Sequence, residues 1–252
     1  VIDPEEIRAL EELGANAWPA VRRLLFDGWL LGLSQGYTKR ANSVLPLYPG
    51  RLDPERKIAA CQDFYAGFGQ PAVFKLSAAA VPPDLDRRLA AAGYEKIEES
   101  LVLVRDLDRI ELEPGPGIGL AKNLTAGWIG GFTRLAGLPA SSEKTLGAIL
   151  AGLANPGCFA WLDDRTGPLA RGLGVLERDR VGLLDIIVRV ERRRQGLAGR
   201  LVRAILAWAR SRGATGAWLQ VAAANRPGLG LYAGLGFKEA YRYWYRIREV
   251  RA

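Results

Sequence analysis

Histidine is absent from the 252 residues, and cysteine occurs only twice. Without an imidazole there is no histidine general acid or base, and two thiols alone cannot assemble the usual zinc-ligand sets. No metal site is expected. The missing histidine also disposes of Gly32-Leu33-Ser34-Gln35-Gly36, which fits the GxSxG elbow of hydrolases but has no later histidine to take the serine proton. Ser34 reads instead as a strand end or turn. Long apolar runs are missing too, none reaching the roughly 18 residues of a membrane span. Asp3-Pro4-Glu5-Glu6 reads as a capped helix start rather than as part of a leader. Cys61 and Cys158 lie far apart among apolar or aromatic neighbours, as buried free thiols of a reducing compartment do. A cytoplasmic protein without membrane contact is expected.

What is present is ordinary for a globular chain: 49% hydrophobic and 25% charged residues, enough for one large or two small domains. The net charge of +8 raises nucleic acid as a partner. However, Tyr241-Arg242-Tyr243-Trp244-Tyr245-Arg246 alternates with strand period, one face core and the other solvated, so nucleic acid is not expected. Gly228-Leu229-Gly230-Leu231-Tyr232-Ala233 matches a dinucleotide-binding GxGxxA. Yet Pro227 stiffens that turn and the sequence ends three residues after Glu249, so the further parallel strands of such a sheet are not expected.

The richest stretch is Arg193-Arg194-Gln195-Gly196-Leu197-Ala198. Before it, Leu183-Leu184-Asp185-Ile186-Ile187-Val188 is short and apolar, as a buried strand is. Behind it, Leu197, Leu201, Ile205 and Trp208 recur at helical spacing, and Gly213 supplies a stop. Between strand and helix, Gly196 and the small Ala198 let backbone N–H groups approach an anion, while the helix N-terminus and the arginines add positive charge. The ligand implied is a nucleotide diphosphate.

This turn, with Arg193, Gly196 and Ala198, resembles the acetyl-CoA loop of the GNAT superfamily of N-acetyltransferases. Downstream, the strand-like Ala217–Val221 leads to Asn225 and then to Leu231-Tyr232-Ala233-Gly234-Leu235-Gly236-Phe237, similar to the family's Asn-to-Tyr spacing and LYxxxGF signature. The resemblance implies an α+β fold, a mixed and mostly antiparallel sheet flanked by helices, built as two tandem units. It also implies acetyl-CoA as co-substrate and direct attack of an amine on the thioester. On that reading the backbone of Ile186, Ile187 and Val188 holds the pantetheine. The turn of Arg193, Arg194, Gln195, Gly196, Leu197, Ala198 and Gly199 holds the pyrophosphate, Asn225 lies near the pantetheine, and Tyr232 is the general acid. Gln220 stands where some members carry a glutamate base, which leaves Asp185, or Glu177 on the preceding strand, as substitutes. Val190 replaces a usual proline and Arg194 a common glycine. The acceptor is a small-molecule or peptide amine, a homodimer is left open, and a non-catalytic acetyl-CoA sensor or scaffold is the alternative function.

Composition divides the chain into residues 1–110, a linker 111–120 containing Glu113-Pro114-Gly115-Pro116-Gly117, and residues 121–252. The first part echoes the second: Ala72–Leu76 parallels Ala217–Val221, and Gly93-Tyr94-Glu95-Lys96 parallels Gly236-Phe237-Lys238-Glu239. Asn42–Tyr48 reads as a strand and Asp53–Phe68 as a capped helix. It lacks the working parts, since Pro49–Pro54 has no anion turn and Leu89 stands in the place of Tyr232. Trp29, Tyr37 and Arg40 are its candidates for an acceptor pocket. A fragment of residues 120–252 is expected to bind acetyl-CoA without transferring acetyl.

Overall fold

The computed structural model describes residues 2–107 and 117–249. The chain begins with α1 (Pro4–Ala17), β1 (Arg22–Phe26), β2 (Trp29–Leu33), β3 (Val44–Leu45), α2 (Pro54–Ala66), β4 (Ala72–Ser77), α3 (Leu85–Ala91) and the long β5 (Glu95–Asp106). It continues with β6 (Gly119–Ala121), α4 (Ala126–Ala136), α5 (Ala140–Ala151), β7 (Gly157–Asp164), β8 (Gly167–Glu177) and β9 (Arg180–Val188). Last come α6 (Leu197–Arg210), β10 (Gly216–Ala222), α7 (Arg226–Gly234) and β11 (Lys238–Arg248). Six of the registered strand pairs are antiparallel and two parallel, the mixed, mostly antiparallel α+β arrangement expected. Two compact units result, Val1–Leu101 with Ala240–Ala252, and Val102–Glu239. Of the expected linker, residues 111–116 lie outside the described residues, while Gly119 and Leu120 begin β6.

In the first unit, Asp27 (φ 45) and Gly28 (φ 86) form the two-residue turn of the β1–β2 hairpin, closed by the pair Phe26↔Trp29. β2 pairs antiparallel with β3, β3 parallel with β4 at Val44↔Phe74, and β4 antiparallel with β11. Parallel neighbours need a crossover, and α2 supplies it. The strand expected over Asn42–Tyr48 shrinks to Val44–Leu45 because Pro46 has no amide for a ladder. Upstream, Asn42 is held in a turn: its Oδ1 accepts from Ser34 N (2.6 Å) and Gly36 N (3.0 Å), and its Nδ2 donates to Tyr37 O and Thr38 O. Ser34 sits just past β2 and its Oγ accepts from Val21 N, the structural role expected. Trp29, Leu31, Val44, Ile58, Tyr65, Phe74, Leu85 and Leu89 form the core. Trp29 is therefore no pocket residue. It is fully buried, and its Nε1 donates to Val81 O at 2.9 Å. Along β11, Tyr241, Tyr243 and Tyr245 are buried, while Trp244 and Arg246 bond Asp86.

In the second unit, β6, β7, β8 and β9 pair antiparallel in that order, and β9 pairs parallel with β10 through the crossover helix α6. The helix lies close on the sheet because β8 presents glycine beneath it. A Cβ at Gly174 would lie 2.3 Å from Ile205 Cγ2, and one at Gly172 2.8 Å from Leu201 Cδ2. Leu201, Val202, Ile205 and Leu206 are buried, each such side chain contributing about 1.5–3 kcal/mol by leaving water. Replacing Gly174 with valine would drive the helix off β8 and move whatever its first turn holds. Cys61 and Cys158 are buried free thiols, with burial pushing both up to about 12.

Candidate functional site

The middle of the second unit's sheet is irregular at one place. β8 and β9 are in register at Arg171↔Ile187 and again at Leu173↔Leu184, so β9 carries one extra residue, Asp185–Ile186 against Gly172. That is a β-bulge, which bends its strand and re-aims side chains. Asp185 has φ 52, the left-handed conformation uncommon for a side-chain-bearing residue and tolerated best by Asp and Asn. An aspartate inside an apolar run was the only trace of the bulge in the sequence. On its other edge β9 separates from β10: the last registered pair is Leu219↔Leu183, although the strands run on to Ala222 and Val188. Ile186 and Ile187 are half-buried there. Strand amides and carbonyls past the last pair are available to an extended ligand lying between the two strands.

Immediately beyond, the chain makes one 3-10 turn, Val190–Arg192, and exposes Arg193, Arg194, Gln195 and Gly196. Arg194 (φ 63) and Gly196 (φ 75) are both left-handed, as in backbone nests that gather N–H groups around an anion. Gly196 occupies the N-cap position of α6, where no side chain caps the helix. The first helical bond is Arg200 N to Gly196 O, so the amides of Leu197, Ala198 and Gly199 have no partner within the helix. No acidic residue lies in that first turn. A Cβ on Gly196 would meet nothing within 4 Å, which leaves the approach open. Positive potential and donors converge there, the requirements of a pyrophosphate seat. Val190 in place of proline leaves the turn intact, with Arg193 N donating to Val190 O.

The remaining predicted residues separate into groups. Tyr232, on α7, is 8% exposed, lies edge-on to Phe237 at 5.8 Å, and is pushed up to about 12 by burial, so it stays protonated at neutral pH. α7 meets the first turn of α6, since Leu231 Cδ1 would lie 3.8 Å from a Cβ on Gly199. Asn225 is the N-cap of α7, its Oδ1 accepting from Gly228 N at 3.0 Å. Capping α7 is a structural duty distinct from the place near the pantetheine that the resemblance implies. The same α7 contains Gly228–Ala233, so that glycine pattern is helix rather than a dinucleotide turn. Glu177 stands opposite Arg180 at the β8–β9 hairpin, the far end of β9 from the bulge, and accepts from Asn155 Nδ2. Five residues of strand, about 16 Å, separate Arg180 from Asp185. Glu177 is thereby excluded as a base at the bulge. Among the described residues no three His, Cys, Asp or Glu side chains cluster to hold a metal, and no helix is long and apolar enough to cross a membrane.

Solved structures share this fold. A GCN5-related N-acetyltransferase from Kribbella flavida aligns over 98% of this chain and 95% of its own with TM-score 0.67 and 17% identity. A tandem GNAT protein from the clavulanic acid biosynthesis pathway aligns over 96% and 88% with TM-score 0.69 and 15% identity. At such identity they establish the GNAT fold alone. In sequence, the Bacillus subtilis (strain 168) protein named uncharacterized N-acetyltransferase YobR is 29% identical over 97% of this chain and 100% of its own length. The family described as "Probable histone acetyltransferase Rv0428c C-terminal" matches residues 5–246, so the chain belongs to that family and is a GNAT N-acetyltransferase.

Proposed function

We propose that this N-acetyltransferase takes its acetyl group from acetyl-CoA and passes it directly to the amine of a small molecule or peptide, acting in the cytoplasm. The observation that carries this reading is the continuous run from the β9–β10 separation, past the bulge, to the uncapped first turn of α6. An extended pantetheine fits the first and a pyrophosphate the last. The co-substrate supplies the activated carbonyl and a thiolate leaving group. Backbone amides of Ile186 to Val188 orient the pantetheine, and a strand N–H beside the bulge polarises the carbonyl as oxyanion donors do. Amides of Arg194 to Gly199, with the Arg193 charge, hold the pyrophosphate, and Asn225 fixes the start of α7.

The amine nitrogen forms the new C–N bond, the C–S bond breaks, and the proton lost by the amine finally resides on the departing sulfur. Asp185 receives the amine proton, directly or through a water, and Tyr232 donates to the sulfur. A phenol raised to about 12 is a weaker acid than a thiol, so Tyr232 acts chiefly through a hydrogen bond that strengthens as charge develops on sulfur. Direct transfer needs no nucleophilic side chain, and the two cysteines, buried and raised to about 12, are poor ones. The test is thiol release from acetyl-CoA against a panel of polyamines, amino acids, aminoglycosides and peptides. Release dependent on one amine class supports the reading and names the acceptor. Binding of acetyl-CoA without turnover on any amine counts against it.

A further inference from the structure

In the first unit the parallel strands β3 and β4 share one registered pair, Val44↔Phe74, and the ladder ends there although β4 runs on to Ser77. The space outside the carboxyl ends of parallel strands is where such sheets lodge ligands. A cleft of about 250 Å³, its open mouth included, lies at these strand ends. Its walls are apolar at Leu45, Leu47, Ala79 and Ala80, and Val81 N donates to Pro46 O at 3.0 Å, tying the two strand ends together. α1 lines it with Arg8 and Glu11, three residues apart and so on one side of the helix. The polar lining is rich in donors. Glu11, the one acid in it, has both oxygens engaged: Oε2 accepts from Lys75 Nζ at 2.6 Å and Oε1 from the Tyr241 hydroxyl at 2.7 Å. Lys75 Nζ carries three protons, of which one goes to Glu11 and another faces the Tyr243 ring, its centroid 4.1 Å away. The Ser77 hydroxyl accepts from Ala79 N at 3.3 Å and keeps its own proton to donate. Arg8 lies 5.7 Å over the Tyr48 ring, and its Nε, shielded from solvent, has no acceptor among the described residues. Glu12, one turn along α1 from Arg8, accepts from the Tyr48 hydroxyl. Two cations against one acid leave the lining with an excess of positive charge, and a shielded donor without an acceptor is costly for the protein alone.

We propose that this cleft is a binding site of the first unit for a small monocarboxylate, separate from the acetyl-CoA site and independent of that reading. The carboxylate takes the paired donors of Arg8 and the Ser77 proton, with Lys75 adding charge, and a short alkyl tail lies against Leu45, Leu47, Ala79 and Ala80. A single negative charge cancels the excess of the lining. A phosphate, close to dianionic at neutral pH, exceeds it and meets the Glu11 carboxylate. A halide cancels the charge but uses neither the guanidinium fork nor the apolar walls. The volume suits a ligand of a few heavy atoms, below the size of nucleotide or cofactor pockets.

An amide-resolved NMR titration of the full chain with propionate, propionamide and chloride tests it, wild type against Arg8→Gln and Arg8→Lys. Lys75 and Glu11 are left in place, because breaking a buried ion pair destabilises a protein whatever it binds. Propionate is expected to give saturable shifts centred on the amides of Leu47, Ser77, Ala79 and Ala80. Propionamide, of the same shape but uncharged, should bind about tenfold more weakly or worse, the scale of a charge-assisted contact. Arg8→Gln should weaken propionate by a similar factor. Arg8→Lys, which keeps the charge and loses the fork, should weaken it less. The spectra also show whether each variant is folded, since amides away from the cleft should not move, and propionate should raise the melting temperature of the wild type but not of Arg8→Gln. Absence of a saturable shift, shifts centred elsewhere, equal affinity for propionamide, or undiminished binding in a folded Arg8→Gln overturns the site. Chloride that displaces propionate at equal concentration makes the cleft a general anion seat and overturns the carboxylate assignment.

Discussion

Both units carry a parallel strand pair joined through a helix, and they treat the amides ahead of that helix in opposite ways. In the first unit the Asp27 carboxylate accepts from Arg51 N (2.9 Å) and Leu52 N (3.0 Å), just before α2, and Lys57 stands 3.3 Å from it. Asp53 then caps α2 by accepting from Arg56 N. The anion is built in. In the second unit no side chain caps α6 and no acid enters its first turn. Elsewhere the copies agree closely: Tyr94 N donates to Leu89 O as Phe237 N does to Tyr232 O, each at 3.0 Å, and Gly93 (φ 81) matches Gly236 (φ 78). Leu89, fully buried, thus occupies the place of Tyr232. One unit satisfies its own donors and buries a leucine; the other keeps its donors open and places a phenol. On the proposed function, the difference separates, at this helix, a structural copy from a ligand-binding one.

The most severe way to break the comparison is to separate the copies. The second unit includes Val102–Asp106 of β5, while the first includes the β11 residues that pair with β4, from Tyr243↔Ser77 to Arg248↔Ala72. A fragment of residues 120–252 therefore lacks a strand and leaves β11 unpaired. It should fail to fold, contrary to the expectation from sequence that it would bind acetyl-CoA. Loss of near-ultraviolet circular dichroism and of acetyl-CoA binding checks this, and a folded, binding fragment refutes it.

Next in size is Gly196→Glu, which puts an anion where the first unit keeps Asp27. Left-handed backbone costs a side-chain residue about 1–2 kcal/mol, so the protein should fold while acetyl-CoA affinity falls by ~10²-fold or more. Gly196→Ala, strained but uncharged, should lose far less, and calorimetry separates the two.

Tyr232→Phe makes the second copy more like the first. Turnover should fall by ~10²-fold with the dissociation constant for acetyl-CoA unchanged. Because the phenol titrates only near 12, it should contribute no alkaline limb to the rate profile in the neutral range. Early melting at an undiminished rate constant would make Tyr232 a packing residue.

Asp27→Asn has the smallest expected effect. Hydrogen bonds from the Arg51 and Leu52 amides hold the Asp27 carboxyl below its usual range. A lowered folded value means that its stabilisation is present above the unfolded value of about 3.9 and is lost as pH falls through the folded one. The variant should melt a few degrees lower at neutral pH, with the gap closing in acid and the affinity for acetyl-CoA unaltered. A change in that affinity would show that the two anion positions are not independent.

Local features were legible because their physics is local. Helical spacing at Leu197, Leu201 and Ile205, the small residues Gly196 and Ala198, and the Asn225-to-Tyr232 interval each depend on neighbours within a few turns of chain, and α6 and α7 form over them. The lack of histidine ruled out whole chemistries without any structure. Tertiary structure alone decided that Trp29 is core, that Glu177 lies far from the bulge, that β9 leaves β10 after Leu183, and which residues of β5 and β11 complete which unit. Those outcomes depend on strand register and on partners tens of residues away. A single extra residue in β9 or one carboxylate from a distant turn settles them, and neither leaves a periodic trace in the sequence.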